Sequence, residues 1–162
     1  MVPKKGLIII MLFTFLSLFL VQCVQEKLAD NQQQLRKEVI RSPNAPAAIG
    51  PYSQAIKVGN TLYCSGQIAI NPQTGELVTT NIAAETRQVL ENLKAVLHEA
   101  GFDFKDVVRA TVFMSDINDY QAINKVYAEY FKDRPPARAA VQVANLPRLV
   151  NVEISCIAVK CE

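Results

Sequence analysis

An α+β domain, one mixed sheet with two helices on a single face, is the fold this 162-residue sequence predicts. Three observations predict it. Short apolar runs bounded by turn residues alternate with two longer stretches of helical periodicity. Their order is ββ, α, β, α, ββ, and two helices can cover only one face of the resulting sheet. Half the residues are hydrophobic and 20% are charged, a globular composition that excludes a disordered or collagen-like chain.

The elements follow in order. Ala55–Val58 and Thr61–Ser65 are two apolar runs separated by Gly59-Asn60, a two-residue hairpin signal. Asn71 to Gly75 is a further turn. A helix is expected from Ile82 to Ala100, with Ile82, Val89, Leu93, Val96 and Ala100 on one stripe. Asn81 can cap its start, Glu85 suits its first turn and Gly101 suits its stop. Asp106–Met114 reads as a valine-rich strand. Tyr120, Ile123, Tyr127, Tyr130 and Phe131 mark a second amphipathic helix, and Arg138–Ala144 and Asn151–Lys160 are the last two strands. The uncovered face is expected to show Ala110, Val112 and Ala139, a patch of the kind that marks an oligomer interface.

Before this domain, residues 1–24 read as an address. Lys4 and Lys5 precede an apolar run from Leu7 to Val21, relieved only by Thr14 and Ser17. That pattern suits an export signal and falls short of the roughly 20 apolar residues that span a bilayer. Three fates are open: cleavage after Cys23, lipidation of Cys23 in a loose lipoprotein box (Leu20 to Cys23), or retention as a membrane anchor. Residues 25–43, Gln-rich and charged, read as a polar spacer with a possible short helix from Glu26 to Val39. The domain proper is expected to occupy residues 44–162.

Charge and composition exclude several functions. Lys4 and Lys5 are two of the 17 basic residues, so the rest of the chain carries as many basic as acidic groups, 15. A neutral body lacks the basic footprint of a nucleic-acid binder. His98 is the only histidine, and the four cysteines (Cys23, Cys64, Cys156, Cys161) have no metal-ligand spacing. Zinc sites and Ser-His-Asp triads therefore have little to be built from. His98 reads as a solvated residue at a helix end.

Polar residues inside apolar segments are the candidates for chemistry. Glu153 interrupts the strand Val152–Val159, and a buried carboxylate needs a partner or must shed its charge. Arg138 is the candidate partner. Either the two form a structural pair fixing neighbouring strands, or Arg138 receives a small carboxylate while Glu153 handles a water or a proton. Asn124 lies on the apolar face of the second helix, where an amide needs partners. Tyr52 sits on the rigid Gly50-Pro51-Tyr52 turn. Ser65 and Gly66 end the hairpin, where glycine lets a ligand approach the backbone.

The segment from Pro136 to Pro147, with Val152-Glu153-Ile154, resembles the signature of the Rid family of reactive-intermediate/imine deaminases, which share an endoribonuclease L-PSP-type domain. Asn44 to Gln54, Ser65-Gly66-Gln67, Asn71 to Gly75, Ala110 to Phe113 and Asn124 to Tyr127 extend the resemblance over about residues 44–160. It implies a chorismate-mutase-like fold and a homotrimer around a central barrel, with clefts between neighbouring subunits. It also implies hydrolysis of 2-imino and 2-enamino acids to 2-keto acids and ammonia, with no metal or organic cofactor. By position, Arg138 would bind the substrate carboxylate and Glu153 would place the water and exchange protons. Tyr52 of a neighbouring subunit, Ser65, Gly66, Asn124 and the backbone of Ala140 would line the cleft. Ala140 stands where many bacterial members carry a cysteine. Family members are mostly intracellular, which is the alternative to an exported or anchored chain. Competing readings are a non-catalytic carboxylate-binding module, a chaperone-like surface and, less favoured by the neutral body, a ribonuclease.

Overall fold

The structure is a computed structural model that describes residues 16–28 and 36–160. The chain divides into two compact units, Met1–Arg36 and Lys37–Glu162. In the first, residues 16–28 are helical (α1). Leu16, Leu18, Phe19, Leu20, Val21, Val24 and Leu28 of this helix are all exposed. Most of the apolar run read as an export signal lies outside the described residues. Among the described residues no helix is long and apolar enough to cross a membrane.

The second unit is a six-stranded sheet in the order β1-β2-β3-β6-β4-β5. Of the possible spacer helix from Glu26 to Val39, residues 26–28 are helical and residues 29–35 lie outside the described residues, while the first strand of this sheet corrects its end. Lys37–Ile40 is not helical but forms β1, antiparallel to β2 (Ala55–Val58), with Ile40 opposite Ala55. Val39 and Ile40 are β-branched, and burial of Ile40 against the core outweighs the helical preference of the polar residues before it. The β2–β3 hairpin (β3, Thr61–Gln67) turns where expected, with Gly59 at a positive φ of 58° in the first turn position.

Helix α2 (Ile82–Glu99) begins where the Asn81 side chain accepts from the Ala84 N–H at 2.9 Å. It ends at Gly101, whose φ of 79° lets the Phe102 N–H return to the Leu97 carbonyl. Strand β4 (Val107–Met114) leads through α3 (Tyr120–Tyr130) to β5 (Ala137–Gln142), which lies parallel to β4. Strand β6 (Val152–Val159) returns between β3 and β4, antiparallel to both.

Both helices cover one face of this sheet, and strand pleating decides which side chains they bury. Leu62 and Cys64 of β3, Ala110, Val112 and Met114 of β4, and Val152, Ile154, Cys156 and Ala158 of β6 form the core with Val89, Leu93 and Val96 of α2. The expectation that Ala110 and Val112 face outward is therefore wrong. They are 0% and 1% exposed under the helices. Both parities of β4 carry apolar residues, so its sequence alone cannot set which one points inward. The uncovered face instead presents Tyr63, Thr111, Phe113, Glu153, Ser155 and Ile157, with Ala139 on the same side as Thr111. Cys64 and Cys156 are register partners, buried as free thiols.

Candidate active site

Glu153 and Gly66 meet at a bulge. The β3–β6 register slips by one residue between Cys64 and Gln67, leaving Ser65 and Gly66 as the irregular pair. The Glu153 side chain occupies the space this opens. A Cβ built on Gly66 would lie 2.6 Å from Glu153 Cδ, so only glycine fits beneath the carboxylate. Among the described residues Glu153 has no hydrogen-bond or ion-pair partner, and burial pushes its carboxyl above the usual range.

The Tyr52 loop is fastened beside this bulge. The Ser65 hydroxyl donates to the Ser53 carbonyl at 2.7 Å, and the Ser65 N–H donates to the Gln54 carbonyl at 3.0 Å. Gln54, buried, accepts from the Ser42 N–H at 2.6 Å and donates to the Pro46 carbonyl at 2.7 Å. The loop is thus braced from both sides. Tyr52 stays exposed, its hydroxyl accepting from the Ile49 N–H.

Arg138 lies elsewhere. It pairs in register with Ala110 on β4, on the helix-covered side, whereas Glu153 pairs with Phe113 on the uncovered side. Strand β4 stands between β5 and β6. The expected placement of Arg138 and Glu153 on neighbouring strands is therefore corrected, and of the two alternatives the structural pair does not form within one chain: they occupy opposite faces. The reason is parity, since Arg138 joins the inward set of its strand and Glu153 the outward set.

The guanidinium of Arg138 rests on α3. Its carbon is 4.6 Å from the Tyr127 ring centroid and 5.8 Å from that of Tyr120. Its Nη2 donates to the Tyr120 hydroxyl at 3.3 Å. Hydrogen bonding from the Asn124 side chain, and then the Arg138 charge, pulls the Tyr120 hydroxyl below the usual tyrosine range. Burial pushes the Tyr127 hydroxyl up to about 12, and it has no partner among the described residues. Ala140, two residues beyond Arg138, shares its face and packs on the core. Sequence reading placed Tyr120 only on the apolar stripe of its helix. The signal for more was its position one turn before Asn124.

The candidate residues thus fall into two groups. One holds Glu153, Gly66, Ser65 and the Tyr52 loop; the other holds Arg138, Asn124 and Ala140, to which the structure adds Tyr120 and Tyr127. His98, as expected, is exposed in the last turn of α2, 3.5 Å from Asp103. A surface hollow of about 440 Å³ beside α2 includes His98 and Asn92 but no candidate residue.

Residues 42–160 match the model of the endoribonuclease L-PSP family. A RutC family protein of Pyrococcus horikoshii is 56% identical over 124 residues, covering 76% of this chain and 98% of the relative. The 2-iminobutanoate/2-iminopropanoate deaminase of Homo sapiens is 48% identical over 126 residues, covering 78% of this chain and 92% of the relative. Among solved structures, Escherichia coli TdcF with bound serine superposes with a TM-score of 0.74 at 42% identity, over 76% of this chain and 99% of that one. RidA of an Antarctic Psychrobacter also superposes with a TM-score of 0.74, at 45% identity and the same coverage. One mixed sheet, helices on a single face and these relatives agree: the chain belongs to the endoribonuclease L-PSP family, the RutC/Rid proteins.

Proposed function

We propose that the protein hydrolyses short 2-imino and 2-enamino acids to 2-keto acids and ammonia, in clefts that two copies of the chain complete together. The observation that carries this is the separation of the two groups of residues. An anion receptor (Arg138) and an unpaired half-buried carboxylate (Glu153) are the two parts such a reaction requires. The uncovered face carries Tyr63, Phe113 and Ile157, apolar surface suited to a second and third copy of the chain. A trimer brings the carboxylate of one subunit to the guanidinium of the next. Its likeness to imine deaminases named as such in mammals supports the chemistry.

In this reading the planar guanidinium fork receives the substrate carboxylate as a bidentate pair. The Ala140 backbone and Asn124 border the imine from the subunit that supplies Arg138, while Ser65, the Gly66 backbone and the covering Tyr52 come with Glu153 from the neighbouring subunit. Glu153 takes a proton from water as the water oxygen bonds to the imine carbon. The imine π electrons pass to nitrogen. Glu153 then passes that proton to the carbinolamine nitrogen and takes back the proton of the carbinolamine hydroxyl, as the O–H electrons form the carbonyl, the C–N bond breaks and ammonia leaves. Burial makes this carboxyl a stronger base than an ordinary one, which suits it to take the proton from water. An enamine first takes a proton at carbon to become the imine. A protonated imine is already electrophilic, so orientation supplies most of the acceleration.

The test generates 2-iminobutyrate from threonine with a pyridoxal-phosphate dehydratase and competes hydrolysis against semicarbazide trapping. Added protein should divert the flux from semicarbazone to free 2-ketobutyrate, and Arg138→Ala should abolish that effect. Normal turnover by Arg138→Ala overturns the site, and no diversion by the wild type overturns the reaction. The exposed apolar side chains of α1 support a finer reading of the N-terminus, export or attachment to a lipid surface. Intact mass of the chain from membrane and soluble fractions tests it. An unprocessed chain found only in the soluble fraction overturns it.

A further inference from the structure

The geometry points to Tyr120 as a substrate-binding residue. Its hydroxyl donates to the carboxylate held by Arg138 and makes that site selective for ionised acids over neutral carbonyl compounds. The inference rests on the proposed role of Arg138 as an anion receptor and adds a residue to it.

Three observations carry the assignment. First, Tyr120 is the one hydrogen-bond partner of Arg138 among the described residues, through Nη2 at 3.3 Å. The other guanidinium donors are left for a ligand, since a guanidinium carries five in a fixed fork. Second, the Tyr120 oxygen accepts this bond, so its own proton is directed away from the guanidinium. A hydroxyl next to a carboxylate bound on that fork would donate to it, a charge-assisted bond. Third, the two tyrosines under the guanidinium differ. Tyr127 is 6% exposed and offers Arg138 its ring face, while Tyr120 is 40% exposed and open to solvent. The low proton affinity of the Tyr120 oxygen, caused by Asn124 and Arg138, makes it a stronger donor than an ordinary tyrosine.

Titration calorimetry on the full chain with 2-ketobutyrate, the product, and with its neutral primary amide separates binding from turnover. Tyr120→Phe keeps the ring over the guanidinium and removes only the hydroxyl. It should weaken 2-ketobutyrate about tenfold, the effect of one hydrogen bond to a charged group. The weaker binding of the amide should change much less. In an Arg138→Ala background the same substitution should add little, because the two groups act on one carboxylate. Equal affinity of Tyr120→Phe and wild type for 2-ketobutyrate overturns the inference, as does an equal loss for acid and amide. Keto-acid binding that depends on Tyr120 without any imine hydrolysis supports Tyr120 and overturns only the deaminase reading. Failure of the wild type to bind 2-ketobutyrate overturns the inference together with the anion-receptor role of Arg138.

Discussion

A single methyl group at Gly66 would overlap the Glu153 carboxylate, so the two residues are one unit. Gly66→Ala must push the carboxylate out of its place over the bulge. Its expected effect is a loss of at least about tenfold in kcat/KM, because misplacing a reacting group by about 1 Å is that costly. The melting temperature should fall little, since the side chain has solvent on one side. A second prediction concerns pH. Burial raises the Glu153 carboxyl above its ordinary value of 4.5. Below that value the folded and unfolded states are both protonated and the residue costs nothing. As pH rises through the raised folded value, the fold must carry an ionised, half-buried carboxylate and loses stability. Glu153→Gln should therefore abolish turnover yet unfold at higher denaturant than wild type. The difference should be absent near pH 4 and grow towards neutrality, as urea titrations at several pH values would show. A difference independent of pH would contradict the assigned cause.

At the scale of elements, the strand that carries Glu153 is held at its start by a buried carboxylate on another element. Glu85, in the first turn of α2, is 0% exposed. It accepts from the Asn151 N–H at 2.6 Å, the Asn151 amide at 2.9 Å and the Val152 N–H at 3.3 Å. Asn151 in turn accepts from the Ser115 N–H and hydroxyl at the end of β4. Glu85 and Asn151 together thus tie α2, β4 and β6 just before Glu153. Glu85→Ala leaves two backbone donors buried without a partner and should cost about 3 kcal/mol by chemical denaturation. The sequence supplied only a helix-dipole reason for Glu85, its place in a first turn. The deeper reason needs the three elements assembled around it.

For the whole molecule, the proposed function makes a testable demand, because Arg138 and Glu153 lie on opposite faces of one chain and the proposed cleft needs two. A mixture of Arg138→Ala and Glu153→Gln chains, refolded together, should regain activity that neither variant has alone. With random mixing about a quarter of the clefts then combine an intact guanidinium with an intact carboxylate. No regain would place both groups in one subunit's site and contradict the shared cleft. Ile157→Asp, in the middle of the uncovered sheet face, should lower both the sedimentation coefficient and the activity, because a buried unpaired charge breaks an apolar interface.

The sequence alone determined the element order from β2 onward, the caps of α2, the Gly59 turn and the unusual polar residues, because these depend on local periodicity and on side-chain type. It left open which parity of β4 faces the helices, since Ala110 and Val112 compete with Val107 and Phe113 for the same side. It also did not reveal β1, where one buried isoleucine outweighs a polar, helix-prone neighbourhood. Arg138 and Glu153 were both legible as unusual residues, but their distance was not. That is set by β4 inserting between their strands and by the pleat turning them to opposite faces. Strand insertion and face parity come from long-range pairing, which no stretch of local sequence encodes, and here they decide that Arg138 and Glu153 lie on opposite faces of one sheet.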